Sequence, residues 1–297
     1  MKLAAIDIGS NAARLLISEV TKQPKQDPVF NKINLVRVPL RLGFDVFETG
    51  EISKAKVKML MQTLKAYQHL LQAYEIKHVY ACATSAMRDA RNSKDIIRKV
   101  KLETGIEIKV ISGQEEASFI YENHVAENLD SDHSYLYIDV GGGSTELTFF
   151  ANGALVSKES FNIGTIRLLK NQFKENTWDE MKDYVKKNIK SALPSIAIGS
   201  GGNITKILSM SKTKEGKPLA LELLKDYYKE LSNVTLEDRM HLYGLKEDRA
   251  DVIVPALLIY IQVMKWANID AIYVPKIGLV DGLMHHLYDK VGNIPVT

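Results

Sequence analysis

One pattern occurs twice in this sequence and constrains the fold more than any other feature. At residues 139–150 an apolar run leads into Asp139, three glycines, Ser144 and Thr145, and a second β-prone run follows. At Asp7 another strand-like run ends on Asp-Ile-Gly-Ser-Asn, and a β-prone run follows Arg14. A repeat 132 residues apart predicts two domains built on one plan, each with a hairpin directed at a shared cleft.

The glycines of the second hairpin suggest an anion site. Without a Cβ in the way, backbone N–H groups can approach a large anion such as phosphate, and Ser144 and Thr145 add hydroxyl donors. A lone Gly-Gly-Gly is more often an ordinary hairpin turn. The repeat at Asp7 makes the phosphate site the better interpretation.

Two further segments carry candidate functional groups. Ser112 and Glu115 have the spacing of a capping box, which gives Glu115 a structural role and leaves Glu116 without one, although the helix dipole favours a carboxylate there in any case. Residues 199–203 form a glycine-rich turn between a predicted strand and a predicted helix. Such a helix start can bind a phosphate or a nucleotide.

The local patterns also predict individual elements. Apolar residues at three- and four-residue steps after Ser53 predict an amphipathic helix with Ser53 as its N-cap. Alternating residues predict a strand over 33–42, and residues 119–127 are predicted to be helical. The polar stretch 127–133 is the best domain boundary, so we expect an N-terminal domain over 1–128 and a C-terminal domain over 129–297. A length of 297 residues agrees with two domains of ~100–200 residues each.

Charge, cysteine content and apolar runs indicate the cellular compartment and the classes of partner that the sequence favours. The 39 basic and 36 acidic residues give a net charge of +3, which neither demands nor excludes a polyanionic partner. Cys82 has no second cysteine to pair with, which excludes an intrachain disulfide and suggests a reducing compartment. The N-terminus lacks a signal-peptide core, and Pro255 interrupts the longest apolar run. We expect a cytoplasmic protein that associates with neither membrane nor nucleic acid.

Five motifs occur in an order and spacing that resemble a known family. They are Asp7-x-Gly-Ser-Asn-x-x-Arg14-Leu, Ala83-Thr-Ser-Ala-x-Arg88-x-Ala, Ser112-Gly-x-Glu-Glu116-Ala, Asp139-x-Gly-Gly-Gly-Ser-Thr-Glu146 and Gly199-x-Gly-Gly202. The sequence resembles the exopolyphosphatase / guanosine pentaphosphate phosphohydrolase family over nearly its whole length. The resemblance implies an α/β fold of two ribonuclease-H-like domains flanking a cleft, the superfold of actin, acetate kinase and sugar kinases.

The resemblance also implies a reaction and residue roles. The reaction is removal of a terminal phosphate from polyphosphate or guanosine pentaphosphate, with Mg²⁺ or another divalent cation. Glu116 would be the base, Glu146 would assist it, and Asp7 and Asp139 would hold the metal. The candidate phosphate-binding residues are Ser10, Asn11, Arg88, Gly141, Gly142, Gly143, Ser144, Thr145, Gly201 and Gly202. For Arg88 a salt bridge is an equally good interpretation. A homodimer follows from the resemblance alone.

The sequence departs from the family pattern in two places. The family often has Gly-Leu-Arg-Glu-Gly near the C-terminus, whereas this chain has Val280 and Asp281 in place of the Arg and Glu. Long family members continue into a helical region beyond the point where this chain stops, at Thr297, so we expect weaker processive grip on long polymers.

Four functions remain open at this stage. Polyphosphate and guanosine pentaphosphate hydrolysis would use one phosphate site, so the sequence does not separate them. A kinase or ATPase of the same superfold would need a defined adenosine pocket near residues 199–203. A non-catalytic sensor of phosphorylated ligands is disfavoured by the presence of both Glu116 and Glu146.

Overall fold

The computed structural model describes residues 1–22, 27–121, 132–214, 216–275 and 278–292. The chain forms two compact units. The first unit comprises Met1–Asn123 and Gly278–Thr297, and the second comprises His124–Ile277. Each unit is built around one β-sheet flanked by helices. The predicted cleft stays a prediction.

The first unit contains a five-stranded sheet in the order β3-β2-β1-β4-β5. Its strands are β1 (Lys2–Ile8), β2 (Ala13–Thr21), β3 (Val29–Val38), β4 (His78–Ala83) and β5 (Ile108–Val110). Strands β1, β2 and β3 form an antiparallel meander, and β4 and β5 continue the sheet in parallel with β1. The helices before the chain leaves this unit are α1 (Leu42–Thr49), α2 (Lys54–Ala73), α3 (Ser85–Asp89), α4 (Ser93–Thr104) and α5 (Gly113–Tyr121).

Local sequence explains α2 but not α1. The Ser53 side chain accepts a hydrogen bond from the Lys56 N–H, and Leu60, Leu64 and Tyr67 are buried, so the predicted capped amphipathic helix is confirmed. The strand predicted over 33–42 is wrong at its end, because β3 stops at Val38 and α1 begins at Leu42. Arg41 adopts a left-handed conformation, and its N–H bonds to the Asn11 carbonyl. This long-range contact overrides the alternating pattern.

The second unit contains a six-stranded sheet in the order β10-β11-β9-β6-β7-β8. Its strands are β6 (Ser134–Val140), β7 (Thr145–Ala151), β8 (Ala154–Phe161), β9 (Ser195–Ser200), β10 (Leu219–Ala220) and β11 (Ala271–Tyr273). Its helices are α6 (Thr165–Leu169), α7 (Thr177–Asn188), α8 (Gly202–Met210), α9 (Leu221–Ser232), α10 (Leu236–Leu242), α11 (Glu247–Ala250) and α12 (Ile253–Ala267).

The two sheets repeat one topology. In each, the first strand lies inside the sheet, pairs antiparallel with the second, and pairs parallel with the strand that follows the intervening helices. Both hairpin turns close with the same hydrogen bond, from Gly9 N to Ala12 O and from Gly141 N to Ser144 O, each 3.0 Å long. The internal repeat predicted from the two Asp-Gly stretches is therefore present.

Helix α12 forms the centre of the second unit's core. Among the described residues, the stretch Glu247–Ala267 is long and apolar enough to cross a membrane, but most of it is buried inside the protein. Residues all around α12, including Leu257, Ile259, Tyr260 and Val263, are buried. This pattern is typical of the central helix of a globular core.

The last helix, α13 (Leu279–Gly292), packs with the first unit. It contacts β1, β2, β4 and α5. It approaches α5 so closely that a Cβ on Gly282 would lie 1.8 Å from the Phe119 carbonyl oxygen. The sequence predicts this segment in the second domain, whereas its contacts group it with the first unit. The predicted boundary between residues 128 and 129 lies outside the described residues and stays a prediction.

Candidate functional site

Two carboxylates face each other across the hairpin of the second unit. Asp139 is the penultimate residue of β6 and lies directly opposite Glu146 on β7. One carboxylate oxygen from each lies within 4.8 Å of the other, and Glu146 is buried. Carboxylate oxygens at this spacing can hold a divalent metal ion.

Ser160 fixes the orientation of Glu146. It lies opposite Glu146 on β8, and its hydroxyl donates a hydrogen bond of 2.8 Å to Glu146 Oε1. No sequence motif marks Ser160, because its contact with Glu146 depends on the register of β8 against β7. Hydrogen bonds of this kind orient metal ligands and tune their affinity.

The glycine turn after Asp139 is fixed on one side by α6. Its three carbonyl oxygens accept hydrogen bonds from the start of that helix: Thr165 N to Gly141 O (2.9 Å), Ile166 N to Gly142 O (2.8 Å) and Arg167 Nε to Gly143 O (2.8 Å). Gly164 lies directly against the turn, since a Cβ there would be 2.6 Å from three of its backbone atoms. The turn therefore has little freedom to change its backbone conformation.

Fixing the carbonyls also fixes the N–H groups. In a planar trans peptide the C=O and N–H bonds point in opposite directions, and none of the described peptide bonds is cis. The N–H groups of Gly142, Gly143 and Ser144 therefore point away from α6, and they have no hydrogen-bond acceptor among the described residues. Adjacent donors of this kind form an anion-binding site.

The third glycine-rich turn lies beside the same aspartate. Gly201 precedes α8 with a φ of 110°, and a Cβ there would lie 3.4 Å from Asp139 Oδ1. The Gly201 carbonyl accepts a hydrogen bond from the Thr205 hydroxyl, and Arg249 donates to the Gly202 carbonyl. The second unit thus brings Asp139, Glu146 and both glycine turns together.

Thr145, a predicted phosphate ligand in the turn after Asp139, already has a hydrogen-bond partner within the protein. The Thr145 hydroxyl is fully buried and donates a 2.6 Å hydrogen bond to the Ile163 carbonyl. Ser144 is also buried. A phosphate role therefore rests more on the backbone of the turn than on the Thr145 hydroxyl.

The first unit places an arginine where the second has Glu146. Asp7 lies opposite Arg14 across its hairpin, and Arg14 Nη1 donates to Asp7 Oδ2 at 2.6 Å. Burial raises the pKa of Asp7 and the Arg14 guanidinium opposes this effect. Asp7 Oδ1 is buried without a hydrogen-bond partner among the described residues. Since Oδ2 pairs with Arg14, Oδ1 is the oxygen of Asp7 that stays available for its predicted metal role.

The other candidates in the first unit also have structural contacts. The Ser10 hydroxyl bonds to the Ser85 hydroxyl (2.7 Å) and accepts the Ala86 N–H (3.1 Å), so it supports the start of α3. The Asn11 carbonyl accepts the Arg41 N–H. Arg88 Nη1 donates to the Ile111 carbonyl at 2.7 Å, so no salt bridge is needed to explain its position. The phosphate roles of these three residues stay predictions.

Glu115 and Glu116 differ as the sequence predicts. Glu115 accepts the Ser112 N–H, the Ser112 hydroxyl accepts the Glu115 N–H, and Lys109 pairs with the same carboxylate, so the capping box is confirmed. The hydrogen bonds from Lys109 and Ser112 lower the pKa of Glu115 to about 2. Glu116, in the first turn of α5, is buried. The helix predicted over 119–127 is described only as far as Tyr121.

Cys82 lies close to Asp7 and Glu116, the two candidate site carboxylates of the first unit. It lies beside Asp7 on the neighbouring strand β4. Burial raises the pKa of the Cys82 thiol, and the nearby carboxylates of Asp7 and Glu116 raise it further. Asp7 is near the end of β1, and Glu116 is in the helix that follows β5; since β1, β4 and β5 are parallel, both residues lie at the same end of the first sheet. A buried, protonated thiol is unreactive, as expected for a structural cysteine.

Comparison with known proteins identifies the family. The Ppx/GppA phosphatase family matches residues 21–291. The chain belongs to this family. An exopolyphosphatase from Cytophaga hutchinsonii has a similar structure, with a TM-score of 0.84, 26% identity and coverage of 98% of both chains. The α/β fold with two ribonuclease-H-like halves is therefore confirmed.

Two curated relatives differ in the function that they are named for. A bifunctional 3-dehydroquinate synthase/phosphatase of Fusobacterium nucleatum is 31% identical over 98% of this chain. The chain spans only 46% of that protein's length. Exopolyphosphatase 1 of Mycobacterium tuberculosis is 24% identical over 98% of this chain and 89% of that protein. Family membership supports phosphatase activity, without separating the substrates.

Proposed function

We propose that this member of the Ppx/GppA phosphatase family is a metal-dependent exopolyphosphatase, which releases terminal orthophosphate from inorganic polyphosphate. The main support is the hairpin turn of the second unit, where three N–H groups with a common orientation adjoin two carboxylates. A terminal phosphate needs donors for its oxygens, and hydrolysis needs stabilisation of the charge that develops on them. The turn can supply the donors.

Asp139 and Glu146 fit a magnesium site. Mg²⁺ prefers oxygen ligands and usually binds one or two carboxylates together with substrate phosphates. When bound, the ion would neutralise negative charge on the transferred phosphate. Ser160 would hold the Glu146 carboxylate in place during this reaction. Asp7 Oδ1 is the remaining metal ligand that we propose.

We assign the general base to Glu116. Its neighbour Glu115 is occupied by the capping box, and Glu116 is buried near Asp7 at the end of the first sheet. A base removes a proton from the attacking water as the bond to phosphorus forms. In this proposal Arg88 uses guanidinium donors other than the one bound to Ile111 to hold a phosphate oxygen.

Guanosine pentaphosphate is the alternative substrate, because the family takes its name from both activities. The turn beside Asp139 at the start of α8 is a possible place for its additional phosphates. Kinase and sensor functions are weaker alternatives, since the buried carboxylates at 116 and 146 suit water activation and metal binding. A cytoplasmic location and a homodimer stay parts of the proposal.

The direct test is orthophosphate release by the purified protein with Mg²⁺. Polyphosphates of several lengths, guanosine pentaphosphate and ATP serve as substrates, and each reaction is repeated with EDTA. We expect metal-dependent release from polyphosphate at a higher kcat/KM than from the two nucleotides. A higher kcat/KM for guanosine pentaphosphate would favour the alternative, and no release from any substrate would contradict phosphatase activity.

A further inference from the structure

The Arg167 side chain holds one carbonyl of the glycine turn 141–143. Backbone N–H groups of α6 hold the first two carbonyls, whereas the third, Gly143 O, accepts from Arg167 Nε at 2.8 Å. The Arg167 backbone N–H also bonds to Gly142 O, at 3.3 Å. A side-chain substitution would therefore affect one peptide of the turn while the others keep their backbone partners.

The peptide that Arg167 holds is the one that ends in the Ser144 N–H. Since Gly143 O points toward the guanidinium, the Ser144 N–H must point the opposite way, together with the two N–H groups before it. Glycine at 143 has no Cβ to restrict φ and ψ, so the Arg167 hydrogen bond adds to the restraint that the close packing of Gly164 places on this peptide. The positive charge of the Arg167 guanidinium lies at the carbonyl end of this peptide dipole. It therefore favours an anion at the opposite end, where the Ser144 N–H points.

A second contact fixes Arg167 itself. Its Nη1 lies 3.4 Å from the Gln172 carbonyl, so the guanidinium bridges the turn and the segment after α6. The side chain also lines a cavity of about 590 Å³ within the second unit, together with Ser160, Asn171, Gln172 and Lys174. This cavity gives a small solute access to the position of the guanidinium.

We propose that Arg167 is a positioning residue, which holds the Gly143–Ser144 peptide in the orientation that binds the terminal phosphate. It acts through the turn and does not itself contact the substrate. This inference rests on the proposed function, since it assumes that the turn binds phosphate. It assigns a role to a residue that the sequence motifs did not mark.

The first test measures binding without turnover. The affinity for orthophosphate with Mg²⁺ is determined by calorimetry for the wild type, Arg167→Ala and Arg167→Lys. We expect a 10- to 100-fold weaker affinity for Arg167→Ala, equivalent to about 1.5–3 kcal/mol for a hydrogen bond to a charged group. Arg167→Lys keeps the charge but loses the planar fork, so its affinity should be intermediate. Arg98→Ala is the control, because Arg98 is exposed and forms an ion pair with the exposed Asp95 on the surface of the first unit.

The second test is chemical rescue by millimolar guanidinium, well below denaturing concentration. We expect guanidinium to restore phosphate binding and kcat/KM in Arg167→Ala but to leave Arg167→Lys and the wild type unchanged. Far-UV circular dichroism and the melting temperature monitor folding. If Arg167→Ala does not fold, Arg167→Lys is compared with the wild type instead. Its phosphate affinity must still be lower than that of the wild type.

The outcomes separate this inference from the proposed function. Wild-type phosphate affinity in Arg167→Ala, or a weakened affinity that guanidinium does not restore, would overturn the role of Arg167. Wild type that binds no orthophosphate would overturn it as well. Weakened, rescuable binding in a protein that does not hydrolyse polyphosphate would support Arg167 and refute the exopolyphosphatase.

Discussion

At the scale of single residues, the two halves of the repeat carry different charges at one position. Asp139 faces Glu146 across its hairpin, whereas Asp7 faces Arg14. The first arrangement presents two carboxylates to a cation, and the second largely neutralises its aspartate with an ion pair. The second hairpin is therefore the better candidate for a metal site, although the two hairpins share one backbone plan.

Some of these residues could be predicted from local sequence and others could not. The capping box at Ser112 accounted for Glu115 and so singled out Glu116, because its spacing alone defines the contact. Ser160 and Arg167 gave no such signal. Their partners, Glu146 and Gly143, are 14 and 24 residues away, and the contacts depend on strand register and on the docking of α6.

Replacement of Glu116 by Gln should lower kcat about 10²- to 10⁴-fold, the usual contribution of a positioned base. Substrate binding should change little, because the amide keeps the size of the side chain. Steady-state kinetics on polyphosphate measure both parameters. Glu115→Gln is the matched control, since glutamine also serves in a capping box. Equal turnover in Glu116→Gln and wild type would remove Glu116 from the mechanism.

Ser160→Ala should weaken Mg²⁺ activation about 10- to 100-fold, the usual effect of losing a hydrogen bond to a metal ligand. The variant leaves Glu146 Oε1 without its 2.8 Å donor. The Mg²⁺ concentration for half-maximal phosphate release is the readout. Ser157→Ala, on the same strand but opposite Phe149, provides the comparison. If the two variants need the same Mg²⁺ concentration, Ser160 does not support a metal ligand.

At the scale of elements, the conformation of the glycine turn depends on how α6 packs against it. The sequence predicted the two strands and the glycine turn of this hairpin, but not the contact between the turn and α6. The sequence did not indicate that Gly164 packs against the turn, since a glycine before a helix is common for other reasons. The end of β3 was mispredicted on similar grounds, because Arg41 adopts its conformation with a hydrogen bond to Asn11, in the turn between β1 and β2.

Gly164→Ala should disturb the turn directly. The new methyl group would lie 2.6 Å from Gly142 C, Gly143 N and Ser144 N, all of them backbone atoms, so α6 or the turn must move. We expect at least tenfold weaker orthophosphate binding and a lower melting temperature. Gly278→Ala adds the same methyl group where no atom lies within 4 Å. Phosphate binding that is unchanged in Gly164→Ala would show that the position of the turn does not matter.

At the scale of the whole molecule, the chain returns to its first unit after completing the second. The duplicated hairpins predicted two similar halves, but no local signal indicated where α13 would pack. In place of the family's Arg, Val280 is buried, and Asp281 accepts the Gly278 N–H and pairs with Lys32. The segment that departs from the family pattern therefore stabilises the first unit.

Leu283→Ala should lower the free energy of unfolding by about 2–5 kcal/mol, because it removes a fully buried side chain of α13. Leu102→Ala makes the same change at a position that is 80% exposed in the first unit, and should cost less than about 0.5 kcal/mol. Urea unfolding gives both values. A similar loss in the two variants would contradict the packing of α13 with the first unit.

In the proposed reaction, water attacks the terminal phosphorus of polyphosphate and the reaction depends on a divalent metal ion. The most direct measurement follows the reaction with Mg²⁺ in ¹⁸O-labelled water by mass spectrometry. We predict one ¹⁸O atom in each released orthophosphate and none at the new chain end, and no release in the presence of EDTA. Label at the chain end, or transfer of the phosphate to ADP without label, would contradict the account.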